Sequence, residues 1–169
     1  ERLKWELRFS PSGDRILFSQ NNGGSQGDIM LVNVTSGEVT TLTSDGGWEV
    51  NPEWIDASTI SYTKHPGGLL AIHHLDTEEI DILEGHDGIF LPNWHSSRKS
   101  ILYSTNDGDI IQLDIESREA STYLTGGSLK AVQSPSGRRT VYLKGTNNTT
   151  HHEIWIESVE DIIASVQLP

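Results

Sequence analysis

The chain has 169 residues, enough for one domain with a real core, and carries 24 acidic against 12 basic side chains for a net charge of −12. That balance argues against a basic groove for phosphates and so against nucleic acid as a partner. The absence of Cys removes disulfides, thiolate metal sites and a thiol nucleophile together.

The opening stretch, "ERLKWELRFS", has neither an initiating Met nor a signal-peptide apolar region, so the chain is expected to begin inside a longer precursor. Its first predicted strand ends at Phe9 and meets the turn "SPSG" at 10–13. Pro presets φ and Gly accepts a left-handed conformation there, which makes a tight connection between two strands. The strand "RILFS" follows, then the loop "NNGGSQG", the strand "DIMLVNV" and a last strand within "SGEVTTLT".

The same order returns three times. An anchor at Trp54 precedes "TISYT", the loop "KHPGG", "LLAIHHL" and "TEEIDIL". An anchor at Trp94 precedes "SILYS", "NDG", "DIIQLDI" and "SREASTYLT". Gln133, a degenerate anchor, precedes "SPSGRRTVYLK", a loop of Asn, Thr and His, and "EIWIESV". The anchors lie 45, 40 and 39 residues apart, and Phe18, Tyr62, Tyr103 and Tyr142 recur at one place in the following strand. A period near 40 residues is that of propeller blades. Each repeat reads as four short strands joined by hairpin turns. Strands such as "DIMLVNV" are apolar on both faces, as a sheet packed between two neighbours requires. The tail "VEDIIASVQL" carries a helical spacing of apolar residues, but its place in the repeat favours an outer strand. No apolar run reaches the roughly 18 residues of a membrane-spanning helix.

Candidate chemistry is sparse. His73 and His74 are adjacent in a strand and point to opposite faces; His151-His152-Glu153 sits in an Asn/Thr loop and is not a metalloprotease motif. The histidines read as scattered hydrogen-bonding groups, with no metal and no cofactor expected. No nucleophile-elbow, phosphate-loop or dinucleotide-binding motif is present. Glu78, Glu79, Asp81 and Glu84 read as a solvated strand edge that resists aggregation. Asn33, Asn147 and Asn148 begin glycosylation-type triplets of the kind that arise by chance in Asn/Thr-rich loops. Trp54, Trp94 and Trp155 read as core.

The stretch "LTSDGGWEVNPEW" (42–54) resembles the junction between repeats of the TolB-like (PD40, WD40-like) β-propellers, and "FSPSGDRILFS" resembles the turn-and-strand centre of their repeat. The resemblance covers nearly the whole chain. It implies an all-β propeller of four blades, near 5–49, 50–89, 90–129 and 130–169, either self-contained as a four-bladed ring or part of an incomplete ring. Blades one and four would then expose faces that drive association, as a homodimer or with further blades. It also implies an extracytoplasmic location, in the periplasm or at the cell surface.

The function expected from this fold is non-enzymatic: a scaffold that binds a protein or a small ligand through one loop face. In such a repeat the connections between blades and the loops between the second and third strands emerge at one end. Residues 44–51, 64–68 and 85–91 are those loops, and they carry Trp48, Glu49, His65, His86, Asp87 and Phe90 in otherwise Gly-rich company. These six are the expected interaction residues. The alternatives the resemblance leaves open are the propeller domain of a prolyl-oligopeptidase-like serine peptidase, whose catalytic serine lies in a separate domain, and a metal-dependent polysaccharide lyase.

Overall fold

The computed structural model describes residues 3–24, 26–83, 90–95, 99–126, 128–134, 136–145 and 152–158. All regular structure among them is β-strand. The chain divides into two compact units, Glu1–Ile89 and Phe90–Pro169.

In the first unit, β1 (Lys4–Phe9), β2 (Arg15–Gly23), β3 (Gln26–Asn33) and β4 (Val39–Thr41) pair antiparallel in sequence order. So do β5 (Trp48–Trp54), β6 (Thr59–His65), β7 (Leu69–His74) and β8 (Glu79–Leu83). One parallel bridge, Gly27 to Trp48, joins the two groups. The second unit repeats the pattern with β9 (Phe90–His95), β10 (Ser100–Ser104), β11 (Ile110–Asp114) and β12 (Ala120–Leu124). It continues with β13 (Ser128–Gln133), β14 (Arg139–Gly145) and β15 (His152–Ser158). The tail beyond Ser158, expected as an outer strand, lies outside the described residues.

The two "SPSG" turns fold alike. Ser10 N–H donates to Arg15 O at 2.8 Å and Gly13 N–H to Ser10 O at 2.9 Å. The matching bonds in blade four run from Ser134 to Arg139 O at 2.8 Å and from Gly137 to Ser134 O at 2.7 Å. Gly13 and Gly137 adopt φ of 77° and 68°, the left-handed region that a Cβ disfavours. In blade two, Asp56 takes over the turn by accepting the backbone N–H groups of Ser58 and Thr59, both at 2.8 Å.

The core of the first unit lies between its two blades. Leu17 and Ile29 of blade one pack against Trp54, Ile60, Tyr62 and Ala71 of blade two. Trp54 is only 7% exposed; its indole N–H donates to Arg8 O at 3.1 Å, and the Arg15 guanidinium stands 5.0 Å above the ring. Further in along β1 and β5, Arg8 bonds Glu53 at 2.7 Å, and the Glu6 carboxylate accepts Asn51 N–H at 2.7 Å. In the second unit Leu102 and Ile110 pack against Ala131 and Tyr142 in the same way.

Two sequence expectations fail here. Phe9, read as an anchor equivalent to Trp54, is 65% exposed. Trp54 packs back onto blade one, so the equivalent side chain of blade one points away from blade two and gains no cover from it. Trp155, read as core, is 45% exposed. It stacks on Tyr142 with ring centroids 6.4 Å apart, under the Lys144 ammonium at 5.2 Å. The opposed faces of His73 and His74 are as expected: the first is buried and the second exposed.

Candidate interaction face

The loop end of the first unit is built on the bridge between Gly27 and Trp48. A Cβ at Gly27 would stand 3.1 Å from Trp48 Cδ1, so the indole lies directly on the glycine backbone. Gly27 N–H also donates to Gly47 O at 3.2 Å. Trp48 keeps 37% of its surface exposed. His65 is its cross-strand partner at the end of β6 and is half-buried; directly opposed residues of a ladder share a face. Trp48 and His65 therefore stand opposite each other at the loop end.

Glu49, next along β5 and paired with Lys64, is fully buried. One carboxyl oxygen takes a long 3.4 Å hydrogen bond from the Thr43 hydroxyl, which itself accepts Ile29 N–H at 2.9 Å. The other oxygen, Oε1, has no donor in reach. It would sit 2.5 Å from a Cβ at Gly47, with Asp45 Oδ1 and His65 O each 3.2 Å from the same point. Any side chain at 47 would therefore collide with an oxygen-lined wall. Here a Gly is required by close approach and not by backbone conformation.

Asp45 turns outward and binds the Lys64 ammonium, while its second oxygen accepts Gly47 N–H at 3.2 Å. The lysine bond holds Asp45 below the usual carboxylate range. Burial, and then the negative charge of Asp45, push Glu49 up to about 7, with Lys64 opposing. The two carboxyls are thus driven apart: one ionised and salt-linked, the other able to keep its proton near neutrality. Tyr62, below in the core, is also raised, first by burial and then by Glu49 and Asp45.

Of the six expected interaction residues, the structure sets Trp48 and His65 opposite each other across β5 and β6 and buries Glu49 next to Trp48 in the chain. Phe90 opens β9 in the second unit, where its backbone pairs with Ser104; His86 and Asp87 lie outside the described residues. Asp45, Lys64 and Gly47 escaped the sequence reading. Lys64 neighbours His65 in the chain, but only the register of β5 on β6 places it opposite Glu49. Among the described residues no group of three or more His, Asp or Glu is placed to hold a metal ion, and no helix is long and apolar enough to cross a membrane.

No family model matches the chain, and no curated protein matches it. Solved structures do. TolB from Acinetobacter baumannii superposes with a TM-score of 0.81 at 14% identity, over 94% of this chain and 42% of that one. A prolyl endopeptidase structure gives 0.69 at 10% identity, over 94% and 28%. Oligogalacturonate lyase in complex with manganese gives 0.73 at 12% identity, over 95% and 52%. The chain spans about two fifths of the TolB structure's length. With its repeated antiparallel sheets, its anchor packing and these superpositions together, the chain has the all-β fold of the TolB-like β-propellers.

Proposed function

We propose that this chain is a non-enzymatic propeller scaffold that binds a protein or small ligand through the loop face carrying Trp48 and His65. The observation that carries the reading is the setting of Trp48. A large aromatic is held open on a glycine platform, beside a salt-linked loop, at an end of the sheet where folding needs no apolar bulk. Exposed aromatics of this kind dominate interface energies. Glu49 serves by fixing the 43–49 turn through Thr43. The extracytoplasmic location of such a scaffold belongs to the same proposal. Photo-crosslinking from a probe at position 65 tests it. Trp48→Ala should reduce the yield of crosslinked product by about fivefold or more while circular dichroism stays unchanged. A crosslink that persists at full yield in the Trp48 variant would sink the reading.

The superpositions on a prolyl endopeptidase and on a manganese-bound lyase support a second reading, in which the chain is the propeller part of a larger enzyme. A manganese-dependent rise in melting temperature would favour the lyase form of that reading over the scaffold.

A further inference from the structure

The turn that presents Trp48 closes over a carboxyl whose inner oxygen meets no donor. Glu49 is fully buried, and its Oε1 is without a partner. The point where a Cβ of Gly47 would stand lies 2.5 Å from that oxygen; Asp45 Oδ1 and the His65 carbonyl oxygen, both acceptors, lie 3.2 Å from the same point. The Thr43 hydroxyl reaches the other carboxyl oxygen at a long 3.4 Å. The charged and titratable groups acting on Glu49, or answering to it, are Asp45 in the turn, Asp28 on β3, and Lys64 and Tyr62 on β6. Lys64, the cation among them, has its ammonium bound to Asp45. A carboxylic acid fits this surround. A carboxylate in it would be buried, short of donors and beside a second carboxylate. The rise of Glu49 to about 7 agrees with that geometry.

What ionisation would displace is lightly held. Residues 42–47 connect β4 to β5, and Gly46 bends the connection at φ 81°. Trp48 joins blade one through one parallel bridge to Gly27, and Gly27 N–H closes the turn on Gly47 O at 3.2 Å. Glu49 follows Trp48 directly along β5. A carboxylate drawn out to water therefore takes with it the bridge that seats the indole.

The geometry points to a pH-operated latch in the 43–49 turn: with Glu49 protonated the turn is closed and Trp48 is held on Gly27, and when Glu49 ionises the turn opens and frees the indole. Binding through this face then weakens above neutrality. That consequence rests on the loop-face reading, whereas the latch itself is read without a partner, so the two can fail separately. An open turn returns Glu49 to its ordinary value of 4.5. Linkage between 4.5 and about 7 then raises the opening equilibrium about 30-fold from about pH 5.5 to about pH 8.5.

Hydrogen exchange on the whole chain, followed by NMR and corrected for the intrinsic pH dependence of the chemistry, reads the latch at Gly27 N–H. Its protection should fall about 30-fold across that range. It should not respond to low urea, because a local opening exposes little surface. Amides of the β6–β7 ladder exchange by larger openings and should be better protected at both pH values. Glu49→Gln cannot ionise and should hold Gly27 protection level. That variant keeps His65, so a profile that persists in it belongs to another group and overturns the inference. So does wild-type protection that is level across the range, or Gly27 exchange that matches the ladder in rate and urea response. Were Glu49→Gln to unfold by circular dichroism, the side-chain carboxyl carbon of Glu49 is titrated by NMR in the wild type. Its midpoint should coincide with the loss of protection; a midpoint at the ordinary carboxylate value overturns the latch.

Discussion

Two tryptophans on one strand have opposite fates. At one end of β5, Trp54 is driven into blade one, its N–H bonded and its face covered by Arg15. At the other end, Trp48 rests on Gly27 with over a third of its surface open. The residues are six apart, and simple alternation would give them one face. The ladder says otherwise. Trp54 pairs with Ile60 and Trp48 with His65, and Ile60 and His65 lie five apart on a regular strand. The register shift between Val50 and Glu53, with Asn51 at φ 55°, inserts the extra residue that turns one indole over. A bulge in the middle of the strand thus separates a structural end from an exposed end.

The comparison can be broken at either end, and the effects should differ in size. Trp54→Ala removes the buried anchor, its hydrogen bond and its cation–π contact; it should cost about 3–5 kcal/mol in denaturant unfolding. Gly47→Ala should cost less, about 1–3 kcal/mol. Its Cβ would stand 2.5 Å from Glu49 Oε1 and 3.2 Å from His65 O, so a crystal structure of the variant should show the Glu49 carboxyl or the 43–49 turn displaced.

The pH dependence of stability tests the same turn. Glu49 has its folded pKa raised from 4.5 to about 7. The folded state therefore binds more protons than the unfolded state between those values. The contribution of Glu49 to stability is complete below about pH 4.5, falls as pH rises through about 7, and is flat above that. Urea midpoints across this range should show the decline, and Glu49→Gln should remove that part of the slope. Asp45, lowered by Lys64, acts at the other end: its contribution is lost only as pH falls below the ordinary carboxylate range. An unchanged slope in the Glu49 variant would show that the buried carboxyl does not titrate there.

The smallest effect on stability is expected from Trp48→Ala, well below that of Trp54→Ala because the ring keeps over a third of its surface open. Its cost in binding should be larger, about 1–3 kcal/mol. A melting temperature that falls as far as in the Trp54 variant would make Trp48 a structural cap and erase the distinction between the two ends.

What the sequence by itself determined is the repeat: four anchors near a 40-residue period, a recurrent aromatic strand, and turns whose Pro, Gly and Asp specify their geometry locally. These are short-range matters, decided by φ preferences and by side chains bonding to their own backbone, so the turns at Ser10 and at Ser134 close with the same two backbone hydrogen bonds. Which anchors are buried was decided elsewhere. Phe9 and Trp54 occupy one place in the repeat, yet only Trp54 has a sheet to pack against. Gln133 holds the same place and is buried although polar. The candidate site divides the same way. Trp48, Glu49 and His65 stood out as bulky or ionisable residues among glycines, but the burial of Glu49, the lysine that binds Asp45 and the face on which Trp48 lies depend on strand register and one bulge. Register is a pairing of residues distant in the chain, and a shift of one position reverses every side chain beyond it.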